Sequence, residues 1–225
     1  VKKVGRTLGV VAAVVGVAVT AAGCGDNVIG SDGPRPGIAA EVEDSQITLD
    51  ELASVVDGLC TLQEADPAAA ATSRAYAQSQ ILQAWVGALV DEEYADDNDL
   101  DITAPASGLK DAPGWADVDE DDQDALEDYV NAFVYASAVT EQIGQGEGPD
   151  PADYAISINP KFDVMISATG FVPAGAQLSV PVSKEAKIDT AAPSPESLQD
   201  LSNDEICGVR PAPTSPESAL PIPQG

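Results

Sequence analysis

Two kinds of residue in this 225-residue sequence could do chemistry: three cysteines and 38 carboxylates. Histidine is absent, which removes His-dependent triads and the commonest zinc ligand. No G-x-S-x-G, P-loop or C-x-x-C pattern occurs. The acids cluster. Asp91 to Asp101, DEEYADDNDLD, holds seven of them, and Asp117, Asp119 and Asp121 have the 1-3-5 spacing of a calcium loop. Such a loop needs Gly at its sixth position and a bidentate Glu at its twelfth, but Asp122 and Asp128 stand there. Asp124 occupies the eighth position, which is usually apolar. The cluster reads instead as acids at a helix N-terminus, favourable to the macrodipole, with the remainder facing water. Carboxylate pairs suited to glycoside hydrolysis fall in loops or at helix starts. The expectation is therefore a non-enzyme: no catalytic residues, no metal ligands and no cofactor.

The cysteines are more informative. Val1 to Arg6, VKKVGR, is a cationic start followed by an uncharged, Ala- and Val-rich run from Thr7 to Gly23. It ends in Thr20-Ala21-Ala22-Gly23-Cys24-Gly25, which resembles a bacterial lipobox, with Ala21 where Leu is usual. On this reading residues 1–23 are a lipoprotein signal peptide and Cys24 is lipidated, so the mature chain sits at the extracytoplasmic face of the cell membrane. The alternative is an uncleaved anchor, or a plain secretory signal in which Cys24 is incidental. Residues 24–37, rich in Gly, Pro and Asp, read as a flexible tether with a reach of roughly 20 Å. Cys60 and Cys207 are then left as a pair in an oxidising compartment, where a disulfide is expected and two free thiols are the alternative. A bridge across roughly 150 residues is worth up to about 5 kcal/mol in the chain-entropy model.

The formal charge is −28, and three of the ten basic residues lie in the leader. Removing residues 1–23 leaves seven Lys and Arg against 38 acids. That field repels phosphate backbones and excludes nucleic acid as a partner. It favours solubility and basic partners, or reflects an acidic bias of the whole proteome.

The elements that must position these residues begin at Ile38. The stretch IAAEVEDSQITLDELASVVDGLC reads as a strand, a polar turn, a second strand and a helix. Thr48-Leu49-Asp50-Glu51 has the form of a capping box, and Leu52, Val55, Val56, Leu59 and Cys60 form one apolar face. Asp66-Pro67 punctuates a loop, and the Ala run that follows begins a second helical pattern, continuing from Thr72 to about Tyr94. Its broad face holds Tyr76, Leu82, Trp85, Val86 and Leu89, widened by Ile81 and Val90. A long loop is predicted from about Ala95 to Asp119, with Pro105 and Pro113 excluding a continuous helix. A third helix from about Asp121 to Ile143 carries Leu126, Tyr129, Val130, Phe133 and Val134, ending at Gly144. Tyr154 to Ile158 alternates as a strand should, a further strand is expected near Val164–Ile166, and Leu178 to Val182 is a weaker candidate. Apart from the Cys207 segment, little regular structure is expected after Ala191, where Pro, Ser and acids dominate. The fold class is mainly α: an open bundle of about three longer helices, with a small β element made by the N-terminal strand and a late strand, and a Pro-rich C-terminal tail.

The segments AEVEDSQITLDELASVVDGLC, SQILQAWVGALVDEEY and SINPKFDV, in that order behind a lipoprotein leader, resemble secreted lipoproteins with a SurA N-terminal-type chaperone domain. Relatives of that family include the trigger-factor C-terminal domain and the foldase lipoproteins of Gram-positive envelopes. The resemblance implies a helical chaperone domain at 38–166, followed by an extended, largely irregular segment at 167–225. It implies a holdase for unfolded or partly folded secreted proteins, bound in an apolar crevice between helices. Tyr76, Leu82, Trp85 and Leu89 on one helix and Leu126, Tyr129, Val130 and Phe133 on the next are the residues expected to bind such clients, because they offer more apolar surface than a simple two-helix contact needs. The first helix covering that whole stripe is the alternative. Family members often carry a parvulin prolyl-isomerase domain with active-site histidines; a chain without histidine, ending in a Pro-rich segment, cannot supply one. A non-catalytic envelope scaffold or ligand-binding lipoprotein is the alternative function. An exposed apolar groove between the long helices favours the chaperone, and a sealed bundle favours the alternative.

Overall fold

The first pairing in the chain is a tight hairpin of β1 (Ile38–Val42) and β2 (Ser45–Thr48), with Ala40 opposite Ile47 and Val42 opposite Ser45. Glu43 turns it with φ +48°, a conformation that Gly or Asn usually supplies. Two bonds to one residue hold it there: the Glu43 N–H donates to Ala155 O at 2.9 Å, and Glu43 Oε1 accepts from the Ala155 N–H at 2.6 Å. Those bonds also align β4 (Ile156–Ile158), which pairs antiparallel with the free side of β1 to give the order β2-β1-β4. Asn159 completes the return, its N–H and its Nδ2 donating to Ala39 O and Ile38 O, each at 2.9 Å. The late strand thus comes back to the N-terminal strand, as expected. β1 lies in the middle, and Ala39, Ala40 and Val42 are fully buried.

The computed structural model describes residues 35–66, 68–144, 148–162, 164–167, 170–173 and 192–211, all within one compact unit, Asp32–Gly225. The signal-peptide assignment, lipidated Cys24, nearly all of the tether, the Leu178–Val182 strand candidate and the end of the tail lie outside the described residues. Among the described residues, no helix is long and apolar enough to cross a membrane.

Helix α1 (Leu49–Ala65) starts as predicted. Thr48 Oγ1 accepts from the Glu51 N–H at 3.0 Å, and Glu51 Oε2 accepts from the Thr48 N–H at 2.8 Å. It buries Leu52, Val55, Val56, Gly58 and Cys60. Gly58 admits the third helix closely, since a Cβ there would lie 2.9 Å from Leu126 Cδ2.

The second helix departs from expectation at both ends. Ala68–Ala71 does not begin it; Asp66 Oδ1 accepts from the Ala68 N–H at 2.9 Å, and the chain runs on into β3 (Thr72–Ser73). β3 pairs with β7 (Ile206–Cys207), a long-range contact that outweighs the helix preference of alanine. α2 (Arg74–Asp97) then starts at a Ser73 cap, with Ser73 Oγ accepting from the Tyr76 N–H at 3.2 Å. It continues to Asp97 rather than stopping near Tyr94, so Asp91, Glu92, Glu93, Asp96 and Asp97 ride its last turns, and no basic residue offsets them there. Acids at a helix C-terminus oppose the macrodipole. Packing overrides that cost: Ile81, Leu82, Trp85, Val86, Ala88, Val90 and Ala95 are all buried.

The predicted long loop is present at 98–119, but it is packed down. Two short 3-10 turns, Leu109–Asp111 and Trp115–Asp117, bury Leu109 and rest Trp115 on the core. Gly114 makes this approach possible: its φ is +82°, and a Cβ would lie 2.5 Å from Ala65 Cβ on α1. α3 (Glu120–Ile143) follows, one residue earlier than predicted, and ends at Gly144. Each of the three long helices packs on the other two. β5 (Val164–Ser167) matches the further strand expected near Val164–Ile166 and forms a hairpin with β6 (Gly170–Pro173), which the sequence reading did not include.

Residues 192–211 are more ordered than their composition suggests. A turn of helix, α4 (Ser197–Asp200), is held by the guanidinium of Arg210. Its Nη1 donates to Leu198 O and Gln199 O at 2.6 and 3.1 Å, and its Nη2 to Leu201 O and Asn203 Oδ1 at 2.7 and 3.0 Å.

Candidate functional site

Cys60 on α1 and Cys207 on β7 form a disulfide, with their Cα atoms 4.5 Å apart. Beside it, between the C-terminal half of α1 and the first turns of α2, lies an open cleft of about 530 Å³. Its walls are mostly apolar: Val56, Leu59 and Leu62 from α1, Tyr76, Ala77 and Ile81 from α2, and the two half-cystines. Gln63, Asp66, Thr72 and Gln80 supply polar groups at its edge. Ala69, from the stretch joining the two helices, lines it as well. Gln63 Nε2 donates to Ala70 O, and Arg74 pairs with Asp57 and donates from Nε to Asp204 O at 3.0 Å. Cys207 of β7 and its disulfide form part of the cleft's wall.

The residues expected to bind clients are not gathered into one surface. Leu82 and Leu126 are fully buried, and Trp85 is 8% exposed. Trp85 meets Tyr129 edge-on, with ring centroids 5.5 Å apart and an interplanar angle of 67°. This aromatic pair seals the α2–α3 seam where an exposed crevice was expected. Leu89 and Val130 are half-buried against the core, and burial pushes the Tyr129 hydroxyl pKa up. Phe133, 52% exposed, stands on the outer side of α3. Of the whole set, Tyr76 alone lines the α1–α2 cleft.

Sequence reasoning passed over Leu62, Gln63, Ala77 and Gln80. A signal was present: Leu59, Leu62 and Gln63 fall at i, i+3 and i+4, and so do Ala77, Gln80 and Ile81.

Asp117, Asp119 and Asp121 are exposed, at the second 3-10 turn, the N-cap and the first turn of α3. Among the described residues, no group of acids and cysteines is placed to hold a metal ion. A second, polar cleft of about 700 Å³ opens where the end of α2 meets the β1–β2 turn and residues 148–154. Glu43, Asp44, Glu93, Asp97, Asp150 and Asp153 line it, with Tyr94 and Tyr154. Glu93 is pushed above the usual carboxylate range by desolvation and by its neighbours Asp96, Glu43, Asp97 and Glu92. No family model, no curated protein and no solved structure matches this chain.

Proposed function

We propose that the protein is a lipid-anchored extracytoplasmic holdase, without catalysis, that retains an apolar segment of an unfolded secreted polypeptide in the α1–α2 cleft. One observation carries this reading: an open, apolar cleft of about 530 Å³ between two long helices, walled by Leu59, Leu62, Tyr76, Ala77 and Ile81. Its volume falls within the range of about 300–1,000 Å³ typical of binding pockets, and its few polar groups sit at the edge. The strand order β2-β1-β4 beneath a helical bundle supports the resemblance stated above. The disulfide supports an oxidising location, and the acidic surface would keep a loaded complex soluble and attract basic segments.

The scaffold reading rests on a different observation, the sealed α2–α3 seam built from Leu82, Trp85, Leu126 and Tyr129. Diluting a denatured secreted protein into purified protein separates the two. The holdase suppresses light scattering at stoichiometric concentration, and Tyr76→Glu abolishes the effect while Phe133→Ser does not. Unchanged scattering at both low and moderate salt defeats the holdase and leaves the scaffold. Activity that follows Phe133 instead of Tyr76 defeats the placement in the α1–α2 cleft.

A further inference from the structure

Away from the disulfide, a small apolar pocket of about 280 Å³ is walled by Gly87 and Val90 of α2, Pro149 and Pro151, Ile156 of β4 and Phe171 of β6. One ionisable side chain lines it, Asp91. None of the ion pairs among the described residues involves that carboxyl. Of the elements packed around it, β4 and β6 bring no charged side chain, α2 brings Glu92 as a neighbour in sequence, and the 148–151 segment brings Asp150. A carboxylate in an apolar recess, with no basic residue lining it among the described residues, calls for a cation whose remaining surface is apolar. Gly148 and Pro149 line both this pocket and the acidic cleft, so the recess adjoins a region where Glu43, Glu93, Asp97 and Asp153 draw cations inward.

We infer that this pocket binds a primary alkylammonium group, the group a lysine side chain carries, with the ammonium on Asp91 and the methylenes against Val90, Pro149, Ile156 and Phe171. Its volume accommodates one such chain. Desolvation raises the Asp91 pKa to about 6, so the site is charged for binding at neutral pH and loses its ion-pairing form in mild acid. The inference is independent of the α1–α2 cleft.

The test uses the full chain, with n-butylammonium as the probe and n-butanol as its neutral match, followed by amide chemical-shift mapping. Saturable shifts are expected at Gly87, Val90, Asp91 and Ile156 with the amine, and none with the alcohol. Asp91→Asn should weaken binding about tenfold or more, as should lowering the pH from about 7.5 to about 5. Asp153→Asn, which removes an acid from the adjoining cleft only, should change affinity much less. A blocked Gly-Lys-Gly peptide binding with the same dependence on Asp91, where its norleucine version does not, assigns the pocket to polypeptide lysines. Binding of the amine without the peptide supports the pocket and assigns it to free amines. Equal binding of amine and alcohol overturns the inference, and so does an Asp91→Asn effect no larger than that of Asp153→Asn, which would mark diffuse attraction to an acidic surface.

Discussion

The paired substitution Cys60→Ala/Cys207→Ala removes the one covalent link between the N-terminal helix and the C-terminal segment. The two cysteines are 147 residues apart in sequence. A closed loop of that length lowers the entropy of the unfolded chain enough to stabilise the fold by about 5 kcal/mol at 25 °C in the chain-entropy model. Both cysteines are almost fully buried, so trimming them to Ala adds about 1 kcal/mol for lost packing. Domains of this kind unfold with a total of about 5–15 kcal/mol, so the variant should sit near the edge of stability. Urea titration followed by far-UV dichroism and by Trp85 and Trp115 fluorescence reads the change. The midpoint should fall steeply, and the m-value should rise because the released chain exposes more surface when unfolded. Hydrogen exchange gives the local counterpart. Protection at Thr72, Ser73 and Ile206 should collapse first, since β3 and β7 are two-residue strands that pair only with each other. A stability loss under about 1 kcal/mol, or unchanged protection at those amides, would refute the reasoning that the bridge holds β7 against α1.

Gly114→Ala should cost about 2–3 kcal/mol by urea titration, about 1–2 of it from the left-handed backbone and the rest from the clash with Ala65. Gly108→Ala, also at positive φ but with open space around it, should cost only the backbone share; equal losses at the two sites would show that the Ala65 approach is not what demands glycine. Asp91→Asn tests burial against pH. The folded pKa lies at about 6, above its ordinary 3.8, so the folded state binds the extra proton between those values and stability falls as pH rises through that window. Because the carboxyl is only half-buried, the variant should gain on the order of 1 kcal/mol at neutral pH, with no gain below about pH 4. Melting temperatures of the two proteins that run parallel from about pH 4 to 7 would contradict it.

What could be read from the amino-acid order was local, or carried by arithmetic. The capping box at Thr48–Glu51 is a matter of two side chains and two N–H groups three residues apart, so α1 begins where the sequence places it. The glycine at 144 ends α3 for an equally local reason. With Cys24 read as the lipidated residue, Cys60 and Cys207 are the two cysteines that remain, and pairing was expected from number and compartment. The late strand was legible because Tyr154–Ile158 alternates and Asn159-Pro160 stops it.

Other features depended on contacts between distant segments, which no local rule contains. The alanines at 68–71 favour helix taken alone, but β7 arrives from residues 206–207 and draws Thr72 and Ser73 into a ladder. The carboxylates after Asp91 read as the approach to a loop, yet burial of Ala95 keeps the helix intact through Asp97. The candidate site shows the same division. An apolar stripe on α2 and another on α3 were plain in the sequence, but a stripe does not say what covers it. Trp85 and Tyr129 meet edge-on across the seam, while an open cleft lies between α1 and α2 at residues whose periodicity was no more marked. Periodicity determined which side chains leave water; only the packing of one helix on another decided which of them a ligand could still reach.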